Sequence, residues 1–246
     1  MPRQDGRLPD QIRPLTLKRQ FTRASPGSVL VQCGRTLVLC TASVSDRVPA
    51  WLEGTARGWI TAEYGMLPGS TRPRKPRERG SGADGRSTEI QRLVGRSLRA
   101  ITDLTALGTR TITVDCDVLD ADGGTRTASV TGALVALVDA VRSIEALPDP
   151  NRFPLRDSVA AVSVGLVDGH TLLDLDYQED LAASVDLNVV MTGAGRLVEV
   201  QGAGEEATFT ERQLSAMLRL ARKGTDAIRR QEQKVLGRHW PFAYDA

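Results

Sequence analysis

Asp122-Gly123-Gly124-Thr125-Arg126-Thr127 is the stretch of this chain best equipped to hold an anion. Two adjacent glycines let the backbone approach a ligand closely, and two threonine hydroxyls flank a guanidinium whose charge is permanent. Before it, Thr111 to Leu119 alternates apolar and polar side chains over most of its length, the period of a strand with one buried face. After it, Val130 to Val141 is apolar except for Thr131, Gly132 and Asp139, as expected of a helix buried on most sides. A strand that ends in glycines and restarts as a helix leaves the first-turn amides without partners, and phosphate is the natural occupant. The same residues also fit a plain strand-to-helix turn with Thr125 as its N-cap. Arg126 favours the anion, because an arginine opening a buried helix is poorly placed unless it meets a negative group. Arg86, near the expected start of another helix, is in the same predicament.

A second set of groups is acidic. Glu179-Asp180 and Asp186 frame a short segment before a strand, and two carboxylates on a turn and a strand start can converge on one hard cation. Oxygen ligands of this kind suit magnesium or manganese, although an acidic cluster is also ordinary solvated surface. Asp174 and Asp176, on one face of the preceding strand, compete for the role. Other chemistries find little support. His170 sits in a hairpin turn and His239 in a C-terminal tail, which disfavours histidine acid-base work or a triad. Cys33, Cys40 and Cys116 lie in strand-like contexts without metal-ligand spacing and read as buried free thiols. Arginines, a glycine cradle and a carboxylate pair suit transfer at phosphorus, where a protein mainly positions groups and neutralises charge.

The 246 residues carry 32 basic and 30 acidic side chains, so net charge says little and distribution says more. Basic residues gather at 72–86 and 222–238. No signal-peptide core and no long apolar run is present, and the expectation is a cytoplasmic protein without membrane contact. From Ser70 to Arg86 there are six basic residues and no large apolar side chain, so this is an exposed loop whose charge suits a polyphosphate backbone. A merely solubilising loop is the other reading. Gly80-Ser-Gly-Ala-Asp-Gly85-Arg86-Ser87 has the spacing of a P-loop with Arg for Lys. A P-loop must follow a buried strand, whereas Arg-Lys-Pro-Arg-Glu-Arg precedes this one, so an NTPase is rejected.

The remaining elements must position these groups. Residues 1–27 supply an arm and an edge strand, and 28–32 and 36–44 form a hairpin around Gly34. Another strand runs from Gly58 to Gly65, its Trp59 and Tyr64 read as core and interface rather than base-stacking platforms. Ile90, Leu93, Val94, Leu98 and Ile101 recur at helical spacing, with Arg92, Arg96 and Arg99 on another face, available to RNA, to surface pairing or to a subunit interface. The loop 147–154 is the best place to divide the chain, giving one domain with a two-part organisation, 1–147 and 155–246. Hairpins 158–176 and 185–201 follow, and Thr210-Glu-Arg-Gln213 looks like the capping box of a helix reaching about Leu236. Both parts place hairpins first and helices later, an α+β pattern with a weakly repeated unit.

Longer motifs carry a resemblance. Gly58-Trp-Ile-Thr-Ala-Glu-Tyr-Gly-Met-Leu-Pro68, Glu89-Ile-Gln-Arg-Leu93, Asp115-Cys-Asp-Val-Leu119 with Ala121-Asp-Gly-Gly-Thr-Arg-Thr-Ala-Ser129, and Asn188-Val-Val-Met-Thr192 with Glu199-Val-Gln-Gly202 resemble the bacterial ribonuclease PH family, in order, from Arg7 to beyond residue 220. The resemblance implies a ribosomal protein S5 domain 2-like fold and a phosphate-dependent 3′-to-5′ exoribonuclease, or tRNA nucleotidyltransferase. Such an enzyme trims tRNA precursors beyond CCA, acts on other RNA 3′ ends including ribosomal RNA, releases nucleoside diphosphates, and runs in reverse. It also implies a homohexamer built as a trimer of dimers. Matched position by position, Arg86, Gly124, Thr125 and Arg126 fall on the family's phosphate-binding residues, with both arginines catalytic. Asp180 and Asp186 fall on its catalytic carboxylates, associated with Mg2+ or Mn2+, and Arg72, Arg74 and Arg77 lie in its tRNA-contacting loop. Where the family often has Thr after Glu-Val-Gln-Gly, this chain has Ala203.

Overall fold

Helix α3 (Thr125–Arg142) is buried on all sides from Thr127 to Val141 because it lies between two sheets. The structure, a computed structural model, describes residues 3–77, 84–204 and 207–243. Arg79 and the Gly80–Ala83 part of the P-loop-like stretch lie outside the described residues. The first sheet contains β1 (Leu15–Arg19), β2 (Gly27–Cys33), β3 (Thr36–Ser45), β4 (Trp59–Met66) and β5 (Thr111–Asp120), in the order β1-β2-β3-β5-β4. Only β4 and β5 are parallel. Parallel neighbours need a crossover, which here runs through α1 (Gly85–Ala100) and α2 (Leu104–Leu107).

The second sheet contains β6 (Val159–Val167), β7 (His170–Leu173), β8 (Val185–Thr192) and β9 (Leu197–Ala203), in the antiparallel order β7-β6-β8-β9. Strand β6 is buried on both faces, which is why its sequence is a continuous apolar run rather than an alternation. Val159 and Ala161 join the core that holds α3. Ala160, Val162 and Val164 pack with Met217, Ala221 and Ile228 of α5 (Glu211–Leu236). The layers are therefore sheet, α1 and α3, sheet, and α5. Each fully enclosed Leu or Val, such as Leu134 and Val138 of α3, contributes about 1.5–3 kcal/mol.

Two corrections to the sequence reading concern the acidic region. Strand β7 stops at Leu173, so Asp174 and Asp176 are not strand partners on one face. Residues 177–182 form a short helix, α4 (Tyr177–Ala182), rather than a turn. It exists because Asp176 and Glu179 make a reciprocal capping box, which overcomes the weakness of so short a helix.

Candidate active site

The glycine turn ends β5 and opens α3 as the sequence suggests, but Thr125 is not the N-cap. Gly124 takes that place in the left-handed conformation, and no side chain accepts from the first-turn amides. Helices α1, α2, α4 and α5 are all capped, by Asp84, Asp103, Asp176 and Thr210. The exception is α3, whose first turn keeps its amide donors and positive dipole end without a capping side chain, the arrangement that suits an anion.

Each residue around that turn is held by another element. Thr125 is buried, and its Oγ1 lies 2.8 Å from the hydroxyl of Tyr64 on β4. Burial raises the Tyr64 pKa, opposed by the Thr125 hydrogen bond and by the charges of Arg86 and Arg126. Arg126 donates from Nη1 to Gln201 Oε1 of β9 at 3.3 Å, and its Nη2 lies 3.4 Å from Glu89 Oε2 of α1. Gln201 in turn donates to Glu199, which pairs with Arg96. Arg86 is exposed in the first turn of α1.

Gly123 and Gly124 are required by geometry. Both have positive φ, and a Cβ on Gly123 would lie 2.6 Å from the carbonyl carbon of Asp176. The turn therefore packs directly on the segment that begins α4. Asp180 is exposed on α4, and Asp186 is half-buried at the start of β8, opposite Ala203. Gln201 and Ala203 are alternate residues of β9 and share a face, as do Asn188 and Asp186 across from them. Arg126, bonded to Gln201, consequently stands over the same sheet face that carries Asp186. Among the described residues no three His, Cys, Asp or Glu side chains cluster as a closed metal cage.

Asp174 does not compete for a metal. It is buried, accepting from Arg13 through Nε at 3.0 Å and Nη2 at 2.7 Å, while Arg13 Nη1 donates to the carbonyl of Asp122 at 2.6 Å. Burial alone would raise the Asp174 pKa, but the Arg13 charge and hydrogen bonds, with Arg7, hold it below the ordinary range. Arg13 thereby clamps the glycine turn to the second sheet. Asp176 is spent on capping α4. Sequence reading missed Arg13, Tyr64, Glu89 and Gln201 as neighbours of the site. Arg13 and Tyr64 lay in an arm and a strand with no chemical signature of their own.

The basic loop leaves from beside the turn. Ala121 N donates to Ser70 O at 2.9 Å, and Lys75 pairs with Asp84, the cap of α1. Arg72, Arg74 and Arg77 are exposed just beyond that anchor. Of Arg92, Arg96 and Arg99 on α1, two are engaged internally, Arg96 with Glu199 and Arg99 over the Trp59 ring at 4.6 Å. The thiols are free, and burial beside Asp174 pushes Cys33 up to about 12, leaving no thiolate nucleophile there.

The chain is similar to known proteins over most of its length. Residues 11–143 match the model of the 3′ exoribonuclease family, domain 1, and residues 157–224 match domain 2. The chain is 60% identical over 220 residues to a ribonuclease PH of Rhodopirellula baltica, covering 87% of this chain and 89% of that protein. Its fold is similar to that of rice Rrp46, with TM-score 0.77 at 20% identity over 95% of this chain and 100% of the other. It is similar also to a chain of the Archaeoglobus fulgidus exosome with RNA bound to the active site, with TM-score 0.79 at 23% identity over 93% and 92%. On the two domain matches and the close relative, the chain belongs to the 3′ exoribonuclease family.

Proposed function

We propose that the protein is a phosphate-dependent 3′-to-5′ exoribonuclease in which inorganic phosphate, seated on the open first turn of α3, is the attacking reagent. The observation that carries this reading is the uncapped helix start, with Thr125 held by Tyr64 and with Arg86 and Arg126 nearby. A phosphate oxygen bonds to the phosphorus of the last phosphodiester, and the bond from that phosphorus to the preceding 3′ oxygen breaks. The 3′ oxygen takes a proton, and a nucleoside diphosphate departs. The product keeps a phosphoanhydride, so the reaction runs backwards when diphosphates are abundant. The amide of Gly124, Thr125, Arg86 and Arg126 hold the phosphate, and both arginines offset the charge of one anion approaching another.

Asp180 and Asp186 fit Mg2+ or Mn2+ as hard oxygen donors, the incomplete set such an ion accepts when phosphate and water supply the rest. When bound, the ion stabilises charge developing on the phosphoryl oxygens. Arg72, Arg74 and Arg77 grip the RNA backbone outside the pocket. The substrates are tRNA precursors with nucleotides beyond CCA, together with ribosomal RNA 3′ ends. Such substrates set the place of action in the cytoplasm, and among the described residues no helix is long and apolar enough to cross a membrane. The working form is a homohexamer, a trimer of dimers. Incubating the protein with 3′-extended tRNA and labelled inorganic phosphate tests the reaction. Label in the β-phosphate of released diphosphates supports it, and equal release of monophosphates without phosphate overturns it.

A further inference from the structure

Helix α5 presents a line of cations that the catalytic reading does not use. Arg212, Arg219, Lys223, Arg230 and Lys234 are all exposed. At 100° per residue they fall within a narrow stripe along about 33 Å of helix. The stripe lies opposite the face that buries Met217, Ala221 and Ile228. Lys223 pairs with Asp10, while Arg212, Arg219, Arg230 and Lys234 have no ion pair or side-chain hydrogen bond among the described residues. One acid stands at the edge of the stripe, Asp226, and it is paired with Arg229, whereas a face that only solubilises a helix mixes the two signs more evenly. Here Arg219–Lys223 and Arg230–Lys234 are like-charge pairs one turn apart, each destabilising the helix by about 0.2–0.5 kcal/mol. A polyanion lying along the stripe would turn that repulsion into attraction.

Its direction relates it to the site. Strand β9 ends at Ala203, opposite Asp186, and a short connection leads to the start of α5. At the other end, Arg19 bonds both Asp139, near the end of α3, and the carbonyl of Val235. The stripe therefore starts towards the Asp186 end of the second sheet, on the outer face that α5 covers rather than the inner face that carries Asp186 and Gln201, and runs to the end farthest from the α3 N-terminus.

Resting on the RNA substrate proposed above, we propose that the α5 stripe is a track for the phosphate backbone of the folded RNA body whose 3′ end occupies the pocket. The contacts are to phosphates, so they add affinity without sequence preference. The test replaces Arg219, Arg230 and Lys234 with Glu, and separately with Gln, in the full-length protein; both residue types are good helix formers. Phosphorolysis of a 3′-extended tRNA is compared with that of a short single-stranded oligonucleotide that fills the pocket but cannot reach the stripe. The expected result is a KM for tRNA raised about tenfold or more by the Glu variant and less by the Gln variant. The kcat and the oligonucleotide kinetics stay unchanged, and the dependence of log KM on log salt becomes shallower by about 2. Unchanged tRNA kinetics, equal loss on both substrates, or a change in particle size on charge reversal would each overturn the proposal. The size change would assign the stripe to contacts between copies of the chain. A wild-type protein inactive on the oligonucleotide with phosphate present would instead defeat the reaction itself.

Discussion

The hydroxyl of Tyr64 on β4 stands 2.8 Å from Oγ1 of Thr125, the first residue of α3, joining the edge of one sheet to the uncapped start of the central helix. Both residues are buried, and the Tyr64 pKa is raised, so the tyrosine remains a neutral hydroxyl through the working pH range. Tyr64→Phe leaves Thr125 without this partner. The KM for phosphate should rise about 3- to 10-fold, with a stability loss of about 1 kcal/mol, as read by initial rates against phosphate concentration and by thermal unfolding. An unchanged KM would mean that Thr125 does not face the phosphate.

Glu89 places a carboxylate oxygen 3.4 Å from the Arg126 guanidinium, and its other oxygen is buried without a hydrogen-bond partner among the described residues. It orients the arginine and also repels an incoming anion. Glu89→Gln should lower the KM for phosphate roughly two- to fivefold while lowering kcat, because the attraction gains and the positioning loses. A rise in KM with kcat intact would contradict that division.

Gly123 has a φ of 76° and touches the backbone that starts α4. Gly123→Ala adds left-handed strain of about 1–2 kcal/mol to a clash with backbone, which cannot rotate away. Stability and phosphate affinity should fall together, the first by about 3 kcal/mol or more. Normal melting with normal kinetics would show that the turn and α4 are not in contact.

Glu232 on α5 is fully buried, and neither carboxylate oxygen has a hydrogen-bond partner among the described residues. Burial raises its pKa well above the ordinary 4.5, only partly opposed by Arg229. In the unfolded chain the group ionises at its ordinary value, so above that pH unfolding releases a proton. Stability then falls by up to about 1.4 kcal/mol per pH unit until the folded group ionises too. Glu232→Gln should match the wild type near pH 4 and exceed it increasingly towards pH 8 in denaturant titrations. Equal stability at pH 8 would refute the assignment.

Much of this architecture was legible in the sequence, for local reasons. Strand β5 shows its period of two, and α3 is apolar throughout because it has a sheet on either side. The Thr210–Gln213 box marks the start of α5. What escaped depends on distance along the chain. Arg13 and Asp174 are 161 residues apart and meet only when the arm crosses to the second sheet. Asp174 and Asp176 looked like ligands because carboxylates near a turn are ambiguous until their partners are known. Helix α4 is too short for periodicity to reveal, and Tyr64 reaches Thr125 only through the parallel pairing of β4 with β5. Ala203 lies opposite Asp186, a placement that only strand register makes visible.

The central claim is that free orthophosphate occupies the uncapped start of α3 between Arg86 and Arg126. Crystals grown without oxyanions and then soaked in phosphate test it most directly. The account predicts one strong anion within hydrogen-bond reach of the first-turn amides, the Thr125 hydroxyl and both guanidinium groups. Phosphate bound at another place, with this turn left empty, would contradict it.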